Sequence, residues 1–315
     1  MNDKILTVCV VTYNQIKYIR QCLDSIVQQK TKYSYQVIIS DDASTDGTSE
    51  VCAEYEKNYP FVKHIRHSAN IGACENFKYV HRQAKTMFVA HCDADDYWSE
   101  NKLDLQISYL LDNSDCSAVY ANATVVNEDG TVFGCFNNAE RIPDKINTGF
   151  LLEKFNFLNN SSMVYRVSDI GAMFSVTELI VDYHVHINLS RHGFLGYIET
   201  PLAFYRKGAD GSLCLTTPTL VGDLVHKARL DGIKQSKLSV KESSKIKANA
   251  WYGKITALLR RNSFAYNRHG EVERLVSDYS FTLALKYLLL DLFILALNKA
   301  KDKSTTRKVN VFCRR

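Results

Sequence analysis

The chain has 315 residues, of which 46% are hydrophobic and 23% are charged, and its formal net charge is +5. This length suffices for one large core domain with an appendage, and the proportions are ordinary for a globular protein, which argues against long disordered linkers. The charge is modest and no stripe of basic and aromatic residues occurs, so nucleic acid is not expected as a partner.

The first third of the chain alternates between predicted strands and predicted helices. The strands are short apolar runs of the kind that is buried on both faces of a parallel sheet. They are predicted at residues 5–11, 36–40, 62–66 and 87–91, and the helices at 15–29, 48–58, from 72 onward and from about 101. This repeated alternation predicts an α/β fold with a mostly parallel, right-handed crossover sheet.

Polar and acidic clusters follow three of these strands, where ligands bind in such sheets. The clusters are Thr12-Tyr13-Asn14, Asp41-Asp42 and Asp93-Ala94-Asp95-Asp96. Carboxylates packed this closely resist burial unless a cation compensates them, and Mg²⁺ or Mn²⁺ prefers such hard oxygen ligands. We therefore predict a metal–diphosphate site at this edge. The alternative is an acidic turn that caps the helix starting near residue 101.

Glycine-rich phosphate loops are missing from the sequence. A dinucleotide site would need G-x-G-x-x-G after the first strand, but no glycine precedes Gly47. No G-x-x-x-x-G-K-[ST] loop occurs either. Bound phosphates would therefore be held by a metal rather than by a glycine cradle.

The second half of the chain changes character near residue 216. Strands are predicted at 117–121 and 163–165, with a hairpin at 124–135 between them, and helices at 220–232, 240–261 and 271–300. We therefore predict an α/β domain at residues 1–215 and a helical region at 216–315 that ends in a basic tail.

The apolar run at residues 281–297 raises the question of membrane contact. Lys286 and Asp291 interrupt this run, so a membrane span is not expected. An apolar helix beside a basic tail is typical of peripheral attachment to a membrane surface. The alternative is a helix that packs on the α/β domain.

The nine cysteines and the N-terminal sequence bear on the compartment. The cysteines are scattered without a C-x-x-C pair, which argues against zinc and disulfide frameworks and favours a reducing cytosol. No charged segment followed by an apolar run precedes the first strand, so no secretory signal is expected. We expect a cytoplasmic protein, with peripheral contact to the inner face of the membrane left open.

Four motifs in this order and spacing resemble family 2 glycosyltransferases of the GT-A fold. They are Val10-Val-Thr-Tyr-Asn14, Ile38-Ile-Ser-Asp-Asp-Ala-Ser-Thr-Asp-Gly-Thr48, Asn70-Ile-Gly-Ala-Cys-Glu-Asn76 and Asp93-Ala-Asp-Asp-Tyr-Trp98. The resemblance covers roughly residues 5–213. It implies a Rossmann-like mixed sheet and transfer of a sugar from a nucleotide-diphosphate donor, usually with inversion at the anomeric carbon.

The resemblance also implies roles for individual residues. Tyr13 would pack on the donor base and Asp42 would hydrogen-bond it, which suits an aromatic face and a carboxylate. The other residues implied on the nucleotide side are Thr12, Asn14, Asn70 and Asp93, with Asn76 as a further lining residue. Helix or turn capping is the alternative for Asn70 and for the Asp41-Asp42 pair, and Asp46 is expected to shape its turn.

The metal and the sugar chemistry fall on later residues. Asp95 is implied as the ligand of Mn²⁺ or Mg²⁺, and Asp182, at a helix start, as the catalytic base, although a simple helix cap would look the same. Three residues are implied near the donor or acceptor sugar: Asp96, Trp98 and Arg206. Asn159, Asn160 and Ser161 are weaker acceptor-side candidates, with a polar loop as the alternative.

One departure from the family pattern concerns the metal. Tyr205-Arg206 is followed by Lys207 and not by the usual histidine. Water or Asp210 would complete the coordination, or Lys207 or Arg206 would contact the diphosphate directly.

The resemblance implies transfer of a hexosyl or N-acetylhexosaminyl group from a UDP-sugar to a saccharide or lipid-linked acceptor of a surface polysaccharide. Two alternatives stand beside this expectation. A non-catalytic GT-A module would bind nucleotide or serve as a scaffold, but Asp95 and Asp182 argue against it. A sugar-nucleotide pyrophosphorylase would need a glycine-rich loop after the first strand.

Overall fold

The computed structural model describes residues 4–138, 142–169, 182–210 and 218–246, with Asn249 and Leu289 as single further positions. Most of the predicted helices at 240–261 and 271–300, and the basic tail, lie outside the described residues. The predicted membrane contact and the predicted boundary at 215/216 therefore stay predictions. In the described part of the chain, no helix is long and apolar enough to cross a membrane.

Strands and helices alternate through the first half of the chain, as predicted. The strands are β1 (Leu6–Thr12), β2 (Tyr35–Asp41), β3 (Val62–Arg66), β4 (Phe88–Asp93), β5 (Tyr97–Trp98), β6 (Cys116–Val126), β7 (Val132–Cys135), β8 (Lys145–Ile146), β9 (Val164–Arg166) and β10 (Phe194–Arg206). The helices are α1 (Ile19–Val27), α2 (Thr48–Asn58), α3 (Ala73–Gln83), α4 (Lys102–Asp112), α5 (Thr148–Lys154), α6 (Asp182–Ser190) and α7 (Pro218–Gln235).

These strands form one mixed sheet in the order β3-β2-β1-β4-β9-β6-β10-β5, with β7 beside β6 and β8 beside β10. The pairs among β1 to β4 are parallel, as is the pair of β6 and β10. Strand β9 is antiparallel to both of its neighbours, β4 and β6. The prediction of a mostly parallel α/β sheet is therefore confirmed.

Strand β1 is continuously apolar because both faces of the sheet are covered. Leu6, Val8 and Val10 point to the hydrophobic cluster that includes α1 and α2, whereas Cys9 lies in the cluster on the opposite face with residues of α3, α6 and α7. Side chains of a strand alternate between faces, so a strand buried on both sides needs apolar residues throughout.

The register of the central strands brings their carboxyl ends to one edge. Thr12 at the end of β1 lies opposite Asp41 of β2, and Val11 lies opposite Asp93 of β4. The three polar clusters found in the sequence therefore meet at the same edge of the sheet.

Helix α1 begins at Ile19, four residues later than the predicted start at residue 15. The preceding segment is a loop tied to the turn before α2. The Gln15 amide donates to Thr48 Oγ1 at 2.8 Å, and the Ile16 amide donates to Asp46 Oδ2 at 3.1 Å. Because these amides are satisfied by another loop, the helix starts only after them.

Candidate active site

Asp42, at the end of β2, fastens three backbone segments together. Its own amide donates to the Thr12 carbonyl at 2.9 Å. Its carboxylate accepts from the Ile71 amide at 2.7 Å and from the Gly72 amide at 3.0 Å. Gly72 has a φ of 88°, which favours glycine, and α3 begins directly after it. Asp42 thus holds the turn before α3 against the end of β1.

The neighbouring Asp41 is fully buried and serves the loop itself. Its burial would raise its pKa, but the nearby His64 ring and hydrogen bonds from Ser44 and Ser49 outweigh burial and hold the pKa at about 2. The Ser44 amide donates to Asp41 Oδ1 at 2.9 Å, and the Ser49 hydroxyl donates to Oδ2. Asp41 is therefore an ionised anchor of the loop that follows β2.

Tyr13 stands at the surface between two fixed turns, with 46% of its area exposed. Next to it, Asn14 adopts a left-handed backbone with a φ of 52°. The Asn14 amide donates to Ser44 Oγ, and its side-chain oxygen accepts from the Thr45 amide, both at 2.9 Å. Asn14 thus joins the two loops, and the Tyr13 ring is left available for stacking.

The two asparagines before and within α3 have different positions. Asn70 is exposed, and its Oδ1 accepts from the Gly72 amide at 3.0 Å, so it shapes the turn while Gly72 occupies the N-cap position. Asn76 is buried and ties α3 to β2, because its Nδ2 donates to the Ser40 carbonyl at 3.0 Å. The prediction that Asn76 lines the donor site is therefore replaced by a structural role.

Asp93, at the end of β4, has its carboxylate held from two sides. Oδ1 contacts His91 Nε2 at 3.0 Å, and Oδ2 accepts from Ser161 Oγ at 3.3 Å and from Asn160 Nδ2 at 3.5 Å. Burial would raise the pKa of Asp93, but the interaction with His91 and these hydrogen bonds lower it below its ordinary value. The side chain still has 39% of its area exposed, so it faces the open edge while ionised.

Asp95 lies in the opposite electrostatic situation. Burial and the charge of Asp93 raise its pKa to about 7, which Arg206 offsets only in part. A hydrogen bond from its own backbone N–H also lowers the pKa, but not enough to offset burial and Asp93. A half-buried carboxylate beside a second one, without a hydrogen bond from a side chain of the described residues, fits a divalent cation as the missing partner.

The described ranges contain no cluster of three or more His, Cys, Asp and Glu side chains arranged around a metal. A cation at Asp95 would therefore take its remaining ligands from phosphate oxygens and water, as Mg²⁺ commonly does. Asp210, one candidate for completing the coordination, is instead exposed and paired with Lys17 Nζ at 2.5 Å.

Trp98 and Asp96 lie inside the protein, contrary to the predicted sugar contacts. Trp98 is 4% exposed, and its Nε1 donates to the Ser161 carbonyl at 2.8 Å. Its ring lies 4.0 Å from Lys102 Nζ. Asp96 is 3% exposed, and its Oδ1 accepts from the Arg206 amide at 2.9 Å. We therefore assign both residues to the scaffold beneath the site.

Arg206, the third predicted sugar contact, is 4% exposed and fully engaged with protein atoms. Its Nε donates to the Asp95 carbonyl at 3.0 Å, and its Nη2 donates to Gln21 Oε1 at 2.7 Å. Its Nη1 donates to the Glu128 carbonyl at 2.9 Å. Four hydrogen bonds from the guanidinium to protein acceptors thus join the end of β10 to the acidic loop, and its burial keeps it away from a diphosphate. This replaces the predicted ligand contact with a structural role.

We expect Arg206→Lys to lower the free energy of unfolding by about 2–3 kcal/mol, because one ammonium cannot satisfy acceptors on three separate segments. Urea denaturation measures the change. Arg20→Lys is the matched control, since Arg20 makes a two-point contact with Glu54 on the surface, and little change is expected there. Equal effects of the two substitutions would contradict the structural role of Arg206.

Asp182 opens α6 at the same edge of the sheet. Asn156 Nδ2 lies 3.1 Å from Oδ1 and 3.2 Å from Oδ2, and the Tyr183 amide donates to Oδ1 at 2.7 Å. Burial raises the pKa of Asp182, these hydrogen bonds offset the rise in part, and the charge of Asp93 adds to it. The two carboxylates are thus close enough to interact. A carboxylate with a raised pKa beside a polar cleft has the properties of a general base.

Three contributors to this site were not singled out from the sequence as partners of the carboxylates. His91 contacts Asp93, Asn156 contacts Asp182, and Ser161 contacts Asp93 rather than standing alone as an acceptor-side residue. His91 could have been found, since residues two apart in a strand share a face. Asn159 is buried, and its carbonyl accepts from Ser162.

Known proteins share this sequence pattern. The family model "Glycosyl transferase family 2" matches residues 7–174. An uncharacterized protein of Mycobacterium tuberculosis, Rv1520, is 32% identical over 208 residues, which is 65% of this chain and 60% of that protein. The putative teichuronic acid biosynthesis glycosyltransferase TuaG of Bacillus subtilis is 29% identical over 135 residues, 43% of this chain and 53% of that protein. The matches thus span about half to three fifths of these relatives.

Solved structures share the fold at low sequence identity. The structure of S. aureus TarS 1-349 in complex with UDP-GlcNAc has a TM-score of 0.63 and 17% identity, and it covers 87% of this chain and 80% of that one. The mannosyltransferase PcManGT from Pyrobaculum calidifontis, in complex with GDP-Man and Mn²⁺, has a TM-score of 0.57 and 18% identity, and it covers 93% and 80%. With the family match over more than half of its length, the chain belongs to glycosyltransferase family 2 and has the GT-A fold.

Proposed function

We propose that the chain transfers a hexosyl or N-acetylhexosaminyl group from a UDP-sugar to a saccharide or lipid-linked acceptor in surface polysaccharide synthesis, with inversion at the anomeric carbon. The observation that carries this proposal is the meeting of Asp93, Asp95 and Asp182 at the carboxyl edge of the sheet, beside the exposed ring of Tyr13.

The donor would lie along the ends of β2, β1 and β4. The Tyr13 ring is exposed for stacking on the base, and Asp42 lies at the neighbouring strand end. Asp42 is 1% exposed and its carboxylate already accepts two amides, so it would support the base pocket from beneath rather than make the predicted hydrogen bond to the base. Asp93 would contact the ribose, and Thr12, Asn14 and Asn70 would shape this pocket. The complexes of TarS with UDP and UDP-GlcNAc support this choice of donor.

Asp95 is the residue that would hold Mn²⁺ or Mg²⁺. A cation bound there would supply electrostatic neutralisation of the departing diphosphate. The uncompensated Asp95 carboxylate fits that role, and the Mn²⁺ complex of PcManGT supports it.

Asp182 is the proposed catalytic base. Inversion requires one direct displacement, so a carboxylate must take the proton of the acceptor hydroxyl as that oxygen attacks the anomeric carbon. Asn156 holds both oxygens of Asp182 and thereby sets the direction of the carboxylate. The raised pKa makes Asp182 a stronger base than an exposed aspartate.

The acceptor class rests on the named relatives. TuaG is named for teichuronic acid biosynthesis, and WfgD of Escherichia coli for glucosyl transfer to GlcNAc-diphosphoundecaprenol, with 28% identity over 132 residues. Both names concern glycans of the cell surface, and the second concerns a lipid-linked acceptor. A lipid-linked acceptor would agree with the predicted membrane contact of the C-terminal region.

A thermal-shift screen with sugar nucleotides and Mg²⁺ or Mn²⁺ tests the donor. We expect a UDP-sugar at saturating concentration to raise the melting temperature by about 5–10 °C, since a ligand that binds only the folded state stabilises it. Tyr13→Ala should reduce the shift without lowering the melting temperature of the free protein. A shift with GDP-sugars alone would contradict the uridine donor, and no shift with any sugar nucleotide would contradict the proposed function.

A further inference from the structure

A chain of buried hydrogen bonds leads from the core to Asp93. Tyr165 Oη lies 2.7 Å from His81 Nδ1, His81 Nε2 lies 3.0 Å from His91 Nδ1, and His91 Nε2 lies 3.0 Å from Asp93 Oδ1. Tyr165, His81 and His91 are each 0% exposed. The ring of Phe77 packs on both imidazoles, with centroids at 4.1 Å from His81 and 4.9 Å from His91.

The four hydrogen-bonded groups allow only one arrangement of donors and acceptors when both imidazoles are neutral. An ionised Asp93 can only accept, so His91 must donate from Nε2 and its Nδ1 must accept. His81 then donates from Nε2, and its own Nδ1 accepts the hydroxyl proton of Tyr165. All three donors therefore point toward Asp93. Burial lowers the pKa of His81 well below its ordinary value, which agrees with a neutral ring.

We propose that His91 is a positioning residue for Asp93, and that His81 and Tyr165 fix the His91 ring in the tautomer that donates to the carboxylate. The inference rests on the proposed function, in which Asp93 contacts the donor nucleotide. Ser161 and Asn160 hold the second carboxylate oxygen, so the carboxylate is fixed from two sides and presents its exposed face to the cleft.

This row of hydrogen bonds explains why two histidines and a tyrosine occupy the apolar layer between α3 and the sheet. Polar groups there are costly unless each has a partner, and here each link supplies one to the next. Removal of a partner that orients a metal-binding side chain commonly changes affinity or activity by about 10- to 100-fold. We expect about the same range for a partner that orients a nucleotide-binding carboxylate.

Substitution of His91 tests the positioning role directly. His91→Leu replaces the imidazole by an apolar side chain of similar size and removes the donor to Asp93, so we expect the affinity for UDP in the presence of Mg²⁺ to fall by about 10- to 100-fold. His91→Gln can accept from His81 through its carbonyl and donate to Asp93 through its amide, so we expect an affinity within about 3-fold of the unsubstituted protein. Calorimetric titration measures both.

A remote substitution separates positioning from packing. Tyr165→Phe keeps the ring and removes the donor to His81 Nδ1, so the His81 ring is held less firmly against His91, and we expect UDP–Mg²⁺ binding to weaken by about 3- to 10-fold. Tyr55→Phe is the matched control. Tyr55 is also buried, and its hydroxyl contacts Asp24 Oδ1 at 2.5 Å, outside this hydrogen-bond network. The control should lower the melting temperature and leave UDP binding unchanged.

Nitrogen-15 NMR of the histidine rings reads the proton order without any ligand. At about pH 8, where an unperturbed imidazole is neutral, we expect both His81 and His91 to carry their proton on Nε2, and Tyr165→Phe to shift the His81 Nδ1 resonance without moving that proton. A proton on His91 Nδ1, or UDP binding by folded His91→Leu equal to that of the unsubstituted protein, would overturn the inference. If the unsubstituted protein binds no UDP, the proposed donor is wrong. The tautomers of His81 and His91 then still test the proposed order of hydrogen bonds.

Discussion

Asp182→Asn is expected to lower the rate of sugar transfer by about 10²- to 10⁴-fold while the affinity for the sugar nucleotide is retained. Asparagine has nearly the same shape but cannot take a proton from the acceptor hydroxyl. The change should therefore appear in kcat and not in donor binding. Product analysis with a saturating UDP-sugar and acceptor measures the first, and calorimetric titration of the donor measures the second.

The pH dependence of the transfer rate tests the same role of Asp182. A raised pKa means that Asp182 becomes protonated, and the rate falls, at a higher pH than for an ordinary aspartate. Asn156→Leu removes hydrogen bonds that favour the ionised form, so the acid limb of kcat/KM should move to still higher pH. An unchanged rate in Asp182→Asn, or an acid limb that moves to lower pH in Asn156→Leu, would assign Asp182 to simple helix capping.

Asp95→Asn is expected to abolish turnover and, in the absence of divalent cations, to raise the melting temperature by about 3–8 °C at neutral or higher pH. The folded protein raises the pKa of Asp95 to about 7, from 3.8. The unfolded chain therefore releases this proton first, and stability is lost as pH rises from about 4 to about 7. Asparagine does not ionise, so the gain should be largest above this window and shrink as pH falls through it.

Divalent cations should reverse the order of the melting temperatures of Asp95→Asn and the unsubstituted protein. Mg²⁺ or Mn²⁺ together with UDP should raise the melting temperature of the unsubstituted protein and have little effect on Asp95→Asn. Asp112→Asn serves as the control, because Asp112 is exposed at the end of α4 and no change of either kind is expected there. Full turnover by Asp95→Asn would remove the metal-site proposal.

The central sheet and its polar edge could be predicted because both are local in sequence. A strand buried on both faces, such as β1, is mostly apolar, and the acidic clusters follow such strands directly in the sequence. The closeness of Asp93, Asp95 and Asp96 predicted a metal site at this edge, and the resemblance to the family singled out Asp95 as the ligand. The start of α1 could not be predicted, since it depends on hydrogen bonds to Asp46 and Thr48, about thirty residues away, a separation over which side-chain capping leaves no local pattern.

Trp98 and Arg206 were misassigned for the same reason. An aromatic ring and a guanidinium beside carboxylates are compatible with a sugar site, and the sequence does not tell which face is covered. Trp98 is buried because β5 pairs with β10, where Trp98 lies opposite Ala203. Arg206 finds its acceptors on α1, on the turn after β6 and on the acidic loop. Contacts between such distant segments decide burial, and hence the role.

The reversed direction of β9 connects the supports of two carboxylates of the site. Because β9 runs opposite to β4, the beginning of β9 lies at the rim where β4 ends, and the Asn160–Ser162 turn is delivered to Asp93. The described residues 142–159 lead into this turn and carry β8, which pairs with β10, and Asn156, which holds Asp182. One antiparallel strand thus joins the supports of both carboxylates, so a substitution that shifts the start of β9 would disturb Asp93 and Asp182 at once.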